Sequence, residues 1–130
     1  DMARELKITV MVHTGSGAPF SDPMMILPAA KQFPDVKIVI AHAGTDLLKS
    51  EAVFLTKTYD QIYIEPSWLG ISATKAVIES CGVNKVMFSS DHPRNVPMEL
   101  LKYRNLISDS EDLERVLSGT VIEAFELKTK

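Results

Sequence analysis

The chain has 130 residues, with 14 Lys+Arg against 17 Asp+Glu, a formal net charge of -3, 45% hydrophobic residues and a single cysteine. A chain of this length supports one hydrophobic core, so residues 1–130 are expected to form one domain. With no clustered Lys/Arg to release counterions, and apolar runs far shorter than the roughly 20 residues of a membrane span, neither nucleic acid nor membrane is an expected partner. Cys81 alone permits no intrachain disulfide, and Asp1-Met2-Ala3-Arg4-Glu5 is no signal peptide, so the expected compartment is the cytoplasm.

Four short apolar runs rich in β-branched residues, 8–12, 36–41, 62–64 and 86–88, read as strands. The first, second and fourth are apolar on both faces, the pattern of parallel strands covered on both sides. Their starts are 28, 26 and 24 residues apart, the length of a βα unit. Between the first two, Asp22-Pro23 reads as a helix N-cap with proline at the first position, and Phe33-Pro34-Asp35 ends that helix. Leu47, Leu48, residues 53–55 and Tyr59 suit a second helix, and residues 73–80 a third that stops at Cys81-Gly82. Pro97 opens a fourth, and the spacing of Ser108 to Glu111 is that of a capping box for a last helix carrying Leu113, Val116, Leu117, Val121 and Phe125. Met24, Met25 and Met98 read as core filler. Four parallel units of this kind make either an open doubly wound sheet or half of an eight-stranded barrel.

In parallel α/β folds the chemistry lies at the carboxyl ends of the strands. Each run here leads into a polar group at that end: His13 in Val12-His13-Thr14-Gly15, His42 in Ala41-His42-Ala43-Gly44, Glu65 in Ile64-Glu65-Pro66-Ser67-Trp68, and Asp91 in Ser89-Ser90-Asp91-His92-Pro93. The two histidines occupy equivalent places in successive units, each followed two residues later by glycine. Neutral imidazole and carboxylate are the ligands of zinc or a similar divalent ion, and His13, His42 and Asp91 supply those atom types. Glu65 and Trp68 are expected on the rim and pocket wall, and Arg94 is placed to pair with a substrate carboxylate through its planar fork. Cys81 has no base near it in sequence and is given no role.

As a set, these segments resemble the metal-dependent amidohydrolase superfamily, in the branch that contains aminocarboxymuconate-semialdehyde decarboxylase. Val10-Met11-Val12-His13-Thr14-Gly15 is similar to that branch's fifth strand, the stretch from Phe33 to Gly44 to its sixth, and Phe88-Ser89-Ser90-Asp91-His92-Pro93 to its eighth. The resemblance implies an α/β fold that is the C-terminal half of a (β/α)8 TIM barrel, four parallel βα units plus a C-terminal helix. It implies a metal-dependent hydrolase of small, carboxylated or cyclic substrates acting through a metal-activated water, with non-oxidative decarboxylation or a non-catalytic binding module as alternatives. It assigns His13 as a metal ligand, His42 as a second ligand or as the group that activates the water, and Asp91 as a ligand and proton carrier. The implied cofactor is a divalent metal, zinc first. The branch's His-x-His pair on the first strand has no counterpart in these residues, and Gly119-Thr120 stands where Asn-Ala is usual. A half-barrel also leaves open strand edges, so the expected partner is a second copy or a polypeptide that supplies the N-terminal half-barrel.

Overall fold

Three of the four β-branched runs pair as strands. In the computed structural model, which describes residues 1–128, β1 (Val10–His13), β2 (Ile38–Ala41) and β3 (Ile62–Glu65) form a parallel sheet in that order. The register brings Met11, Val39 and Tyr63 into one row, and His13, Ala41 and Glu65 into another. Because side chains alternate across a strand, both rows lie on the same face. The fourth run is shorter than expected. Val86 makes one parallel bridge to Ile64, with Met87 N–H donating to the Ile64 carbonyl at 3.0 Å. The Phe88 N–H then turns away and donates to the Val116 carbonyl at 2.9 Å, so pairing stops after one step.

The α-helices among the described residues are α1 (Met2–Leu6), α2 (Leu27–Gln32), α3 (Thr45–Thr58), α4 (Ile71–Cys81), α5 (Val96–Leu106), α6 (Ser110–Glu114) and α7 (Thr120–Phe125). Asp22 caps the 3-10 turn Pro23–Ile26 ahead of α2, its side chain accepting the Met24 N–H at 2.7 Å. The cap of α6 is Asp109, not Ser108: its carboxylate accepts from the backbone of both Glu111 and Asp112 at 2.9 Å, which a carboxylate does more strongly than a hydroxyl. A wide turn at Arg115–Gly119 joins α6 to α7.

The main core lies on the helical side of the sheet. Ile38 and Ile40 of β2 and Ile62 and Ile64 of β3 pack with Ala30, Ala52, Leu55, Val77 and Tyr103 from α2, α3, α4 and α5. A smaller cluster on the opposite face joins Val39, Tyr63 and Met87 to Ala124, with Val121 and Phe125 against it. That second cluster exists because α7 lies across the amino ends of the strands. Thr9 donates to the Ala124 carbonyl, Lys37 to the Glu123 carbonyl at 2.9 Å, and Thr120 to the Val83 carbonyl at 2.9 Å. Of the methionines expected as filler, Met24 packs on the core whereas Met25 and Met98 are exposed. β2 and β3 are buried along their whole length, but β1, expected to be covered on both faces, alternates: Met11 and His13 are exposed on the face where the second cluster covers Val39 and Tyr63 but not β1, and no strand lies beside its outer edge among the described residues. A cavity of about 360 Å³ opens beside that edge, walled by Val10, Val12, Phe20, Ile26 and Phe33 and reaching His13. Among the described residues no helix is long and apolar enough to cross a membrane.

Candidate active site

The amino ends of the sheet are covered, and the carboxyl ends are where the polar groups gather. His13 closes β1 and His42 follows β2 directly, and the small Ala41 in register with His13 leaves room between them. Their rings meet edge to face with centroids 5.0 Å apart. His13 is exposed while His42 is buried.

The backbone that presents these groups is bent hard. His42, Ala43 and Gly44 have φ of 63, 46 and 74, and Thr45 follows at 55; Trp68 and Asp91, after β3 and the fourth run, stand at 67 and 57. Each non-glycine residue in this region costs about 1–3 kcal/mol and persists only where its surroundings hold it. Thr14, fully buried, is one such restraint: its hydroxyl donates to the Ala41 carbonyl at 2.7 Å and accepts the Gly44 N–H at 2.8 Å, tying β1 to the turn after β2. The glycines two residues beyond each histidine have a steric reason. A Cβ on Gly15, at φ 139, would lie 2.5 Å from Thr45 Cγ2, and one on Gly44 would lie 3.0 Å from Pro23 Cγ.

Glu65 lies beneath the rim and not on it, which corrects its expected place as a substrate contact. It is fully buried, and its carboxylate is occupied by the chain itself: Oε1 accepts the Ser67 N–H at 2.5 Å, and Oε2 accepts the His42 N–H at 3.2 Å and the Ser67 hydroxyl at 3.0 Å. The Ser67 hydroxyl also lies 2.8 Å from His42 Nδ1. Burial raises the Glu65 pKa above the ordinary carboxylate value, opposed by the bonds from Ser67 and His42 and reinforced by the nearby Glu99. Glu99, on α5, is a second buried carboxylate; it accepts the Trp68 N–H at 3.1 Å and the Asn95 amide at 3.1 Å and pairs with Lys102 at 2.6 Å. Tyr103 is buried beside them, its phenol pushed well above its usual value by burial and then by Glu65 and Glu99.

Asp91 does not join the histidines. Its carboxylate accepts the Trp68 indole N–H at 2.8 Å, and among the described residues no group of three or more His, Cys, Asp or Glu side chains converges as a metal site. Trp68 is exposed at the mouth, and Arg94 is exposed on the 3-10 turn Pro93–Asn95. Thr14, Ser67 and Glu99 were not singled out by the sequence. Only Ser67 carries a local signal, two residues beyond a strand-end carboxylate. The paired imidazoles suit a divalent ion by donor type, and the Ser67 contact at Nδ1 leaves Nε2 of His42 as the nitrogen available to it. Two donors are fewer than the three protein ligands usual for catalytic zinc.

The parallel order, the register and the polar groups at the carboxyl ends fit half of a (β/α)8 barrel. The chain superposes on an uncharacterised TIM-barrel protein from Bordetella bronchiseptica with a TM-score of 0.78 at 17% identity, covering 95% of this chain and 47% of that one. It superposes on an amidohydrolase 2 from Bifidobacterium longum subsp. infantis with a TM-score of 0.71 at 17% identity, covering 97% and 52%. The 5-carboxyvanillate decarboxylase of Sphingomonas paucimobilis gives 0.60 at 19% identity, covering 81% and 38%. The chain thus spans about half the length of the first two of these solved structures. Residues 1–127 match the Amidohydro_2 family model, described as amidohydrolase, and the chain belongs to that family. No curated protein sequence gives a significant match.

Proposed function

We propose that the chain carries part of the active site of a metal-dependent hydrolase for small, carboxylated or cyclic substrates. The observation that carries this reading is the pairing of His13 and His42 at one mouth of the sheet, rings 5.0 Å apart, in an amidohydrolase-family chain. His13 and His42 would hold a divalent ion, zinc first, and Asp91 would join them once released from Trp68. A bound ion of this kind supplies hydroxide near neutral pH and polarises a substrate oxygen. The protein's own part is to orient the ring of His42 from below, to offer the exposed carboxylate of Asp91 as a proton carrier, and to present Trp68 and Arg94 to an anionic or planar substrate. Decarboxylation is the second reading, favoured by the likeness to a carboxyvanillate decarboxylase and to a decarboxylase of Metarhizium anisopliae, described as IDCase.

The partner in this reading is a second copy of the chain or a polypeptide supplying the first four units, seated on the open edge of β1 and the cavity beside it. Zinc titration calorimetry tests the site directly: the wild type takes up zinc, and His13→Ala or His42→Ala weakens uptake by about tenfold or more. Equal uptake by all three proteins would end the proposal. Hydrolysis against carbon dioxide release, assayed on the assembled protein with aromatic carboxylates and cyclic amides, separates the two reactions.

A further inference from the structure

The Glu65–Ser67–His42 chain of contacts is built more carefully than packing alone requires. Glu65 is fully buried in the row of His13 and Ala41, where a hydrophobic side chain would fill the space without desolvating a carboxyl group. Both of its oxygens accept backbone N–H groups, Oε1 from Ser67 and Oε2 from His42. These bonds point the carboxylate at the Ser67 hydroxyl, which lies 3.0 Å from Oε2 and 2.8 Å from His42 Nδ1.

A hydroxyl has one proton to give. With its proton directed to Glu65 Oε2, the Ser67 oxygen presents only lone pairs to the ring, and Nδ1 must carry the imidazole hydrogen in order to bond to it. The other nitrogen of a neutral imidazole then has no hydrogen. His42 is already turned into the left-handed region at φ 63, and its Nε2 makes no hydrogen bond to the described residues.

We infer that Glu65 and Ser67 are positioning residues acting through His42: the buried carboxylate orients the Ser67 hydroxyl, which holds the ring hydrogen on Nδ1 and leaves the Nε2 lone pair facing the mouth. This deepens the reading of His42 as a site residue and rests on it for its chemical purpose. The tautomer itself can be measured without turnover or metal.

The experiment is long-range proton–nitrogen correlation NMR on the nitrogen-labelled chain at a pH where the ring is neutral, with His42→Gln to assign the signals. The wild type is expected to show a protonated Nδ1 and an unprotonated Nε2. Ser67→Ala removes the acceptor, and the ring reverts to the Nε2–H form that free imidazole side chains prefer. Glu65→Leu removes the acceptor of the Ser67 proton, the hydroxyl turns to donate to Nδ1, and the hydrogen again moves to Nε2. A wild-type ring protonated at Nε2, or a ring that stays Nδ1–H in Ser67→Ala, would overturn the inference. Retention of Nδ1–H in Glu65→Leu alone would overturn the part assigned to Glu65. Zinc titration of the same proteins is expected to show about tenfold weaker uptake in both variants. If the tautomer moves as expected but the wild type takes up no zinc, the metal reading fails and the positioning role stands. If zinc uptake depends on His13 and His42 while the tautomer is indifferent to Ser67, the reverse holds.

Discussion

Trp68 donates its indole N–H to Asp91 Oδ2 at 2.8 Å, and both residues stand in the left-handed region, with φ 67 and 57. The carboxylate that the sequence offers as a metal ligand is therefore clasped by the aromatic residue of the neighbouring loop. Trp68 is in turn anchored through its backbone N–H to the buried Glu99. Trp68→Phe removes the donor and keeps the ring. We expect zinc to bind about threefold to tenfold more tightly to this variant, the gain that losing one competing hydrogen bond allows. Unchanged or weaker binding in calorimetry would show that Asp91 has no ligand role to be released into.

The two His-x-Gly turns give a second prediction. Gly44→Ala meets both a positive φ and a Cβ 3.0 Å from Pro23 and 3.3 Å from the Lys49 nitrogen, while Gly70 has neither constraint. Gly44→Ala should lower unfolding stability by about 1–3 kcal/mol or more and broaden the His42 resonances, whereas Gly70→Ala should cost under about 1 kcal/mol. Urea denaturation of the two variants, run side by side, makes the comparison; equal losses would mean that the turn after β2 relaxes freely.

Packing gives a third. Leu55 on α3 is fully buried in the main core, and Leu55→Ala should cost about 2–5 kcal/mol. Met11, on the same sheet but exposed at its open edge, should cost far less as Met11→Ala in the isolated chain. If the chain pairs with a second copy along β1, Met11→Lys will shift sedimentation toward the monomer while leaving the unfolding slope unchanged; no shift would dismiss that interface.

The attachment of α7 should depend on pH at both extremes. Glu123 has its pKa lowered by the hydrogen bond from Arg115 and then by that from Tyr63, and Tyr63 is pushed up to about 12 by burial and then by Glu123. A depressed carboxylate contributes stability that is present above its ordinary value of 4.5 and lost as pH falls through the folded-state value. A raised phenol contributes stability that is present below 10.0 and lost as pH rises from there towards about 12. Because Glu123 is largely exposed, the acid effect is modest. Glu123→Gln should flatten stability against pH on the acid side, and Tyr63→Phe should remove a late-titrating phenol from the alkaline absorbance curve. A wild-type profile indifferent to either change would contradict the coupling.

Much of this architecture is legible in the residues because it is local. The unbroken apolar run of β2 predicts a strand buried on both faces, and Asp22-Pro23 predicts the turn that precedes α2. The two histidines followed by glycine predict a meeting place at the carboxyl ends, and the rings do meet. What the sequence hides is decided by long-range partners. Residues 86–88 have the composition of a strand, but Phe88 gives its N–H to Val116, far along the chain, and no local pattern records that bond. Glu99 looks like an ordinary acidic residue in the first turn of a helix, yet it is buried by Trp68, Asn95 and Lys102. Asp91 is the plainest case: its residue type and position suit a ligand, and only the three-dimensional approach of Trp68 decides where the carboxylate goes.

The placement of α7 across the amino ends of the strands gives the molecule a closed floor and an open top. The histidines are therefore approached from the mouth and from the cavity beside β1, not through α7. A fluorophore or a surface linkage introduced on the outward side of α7 would sit on the far side from the histidines, so the protein can be tethered by its base with the mouth left clear.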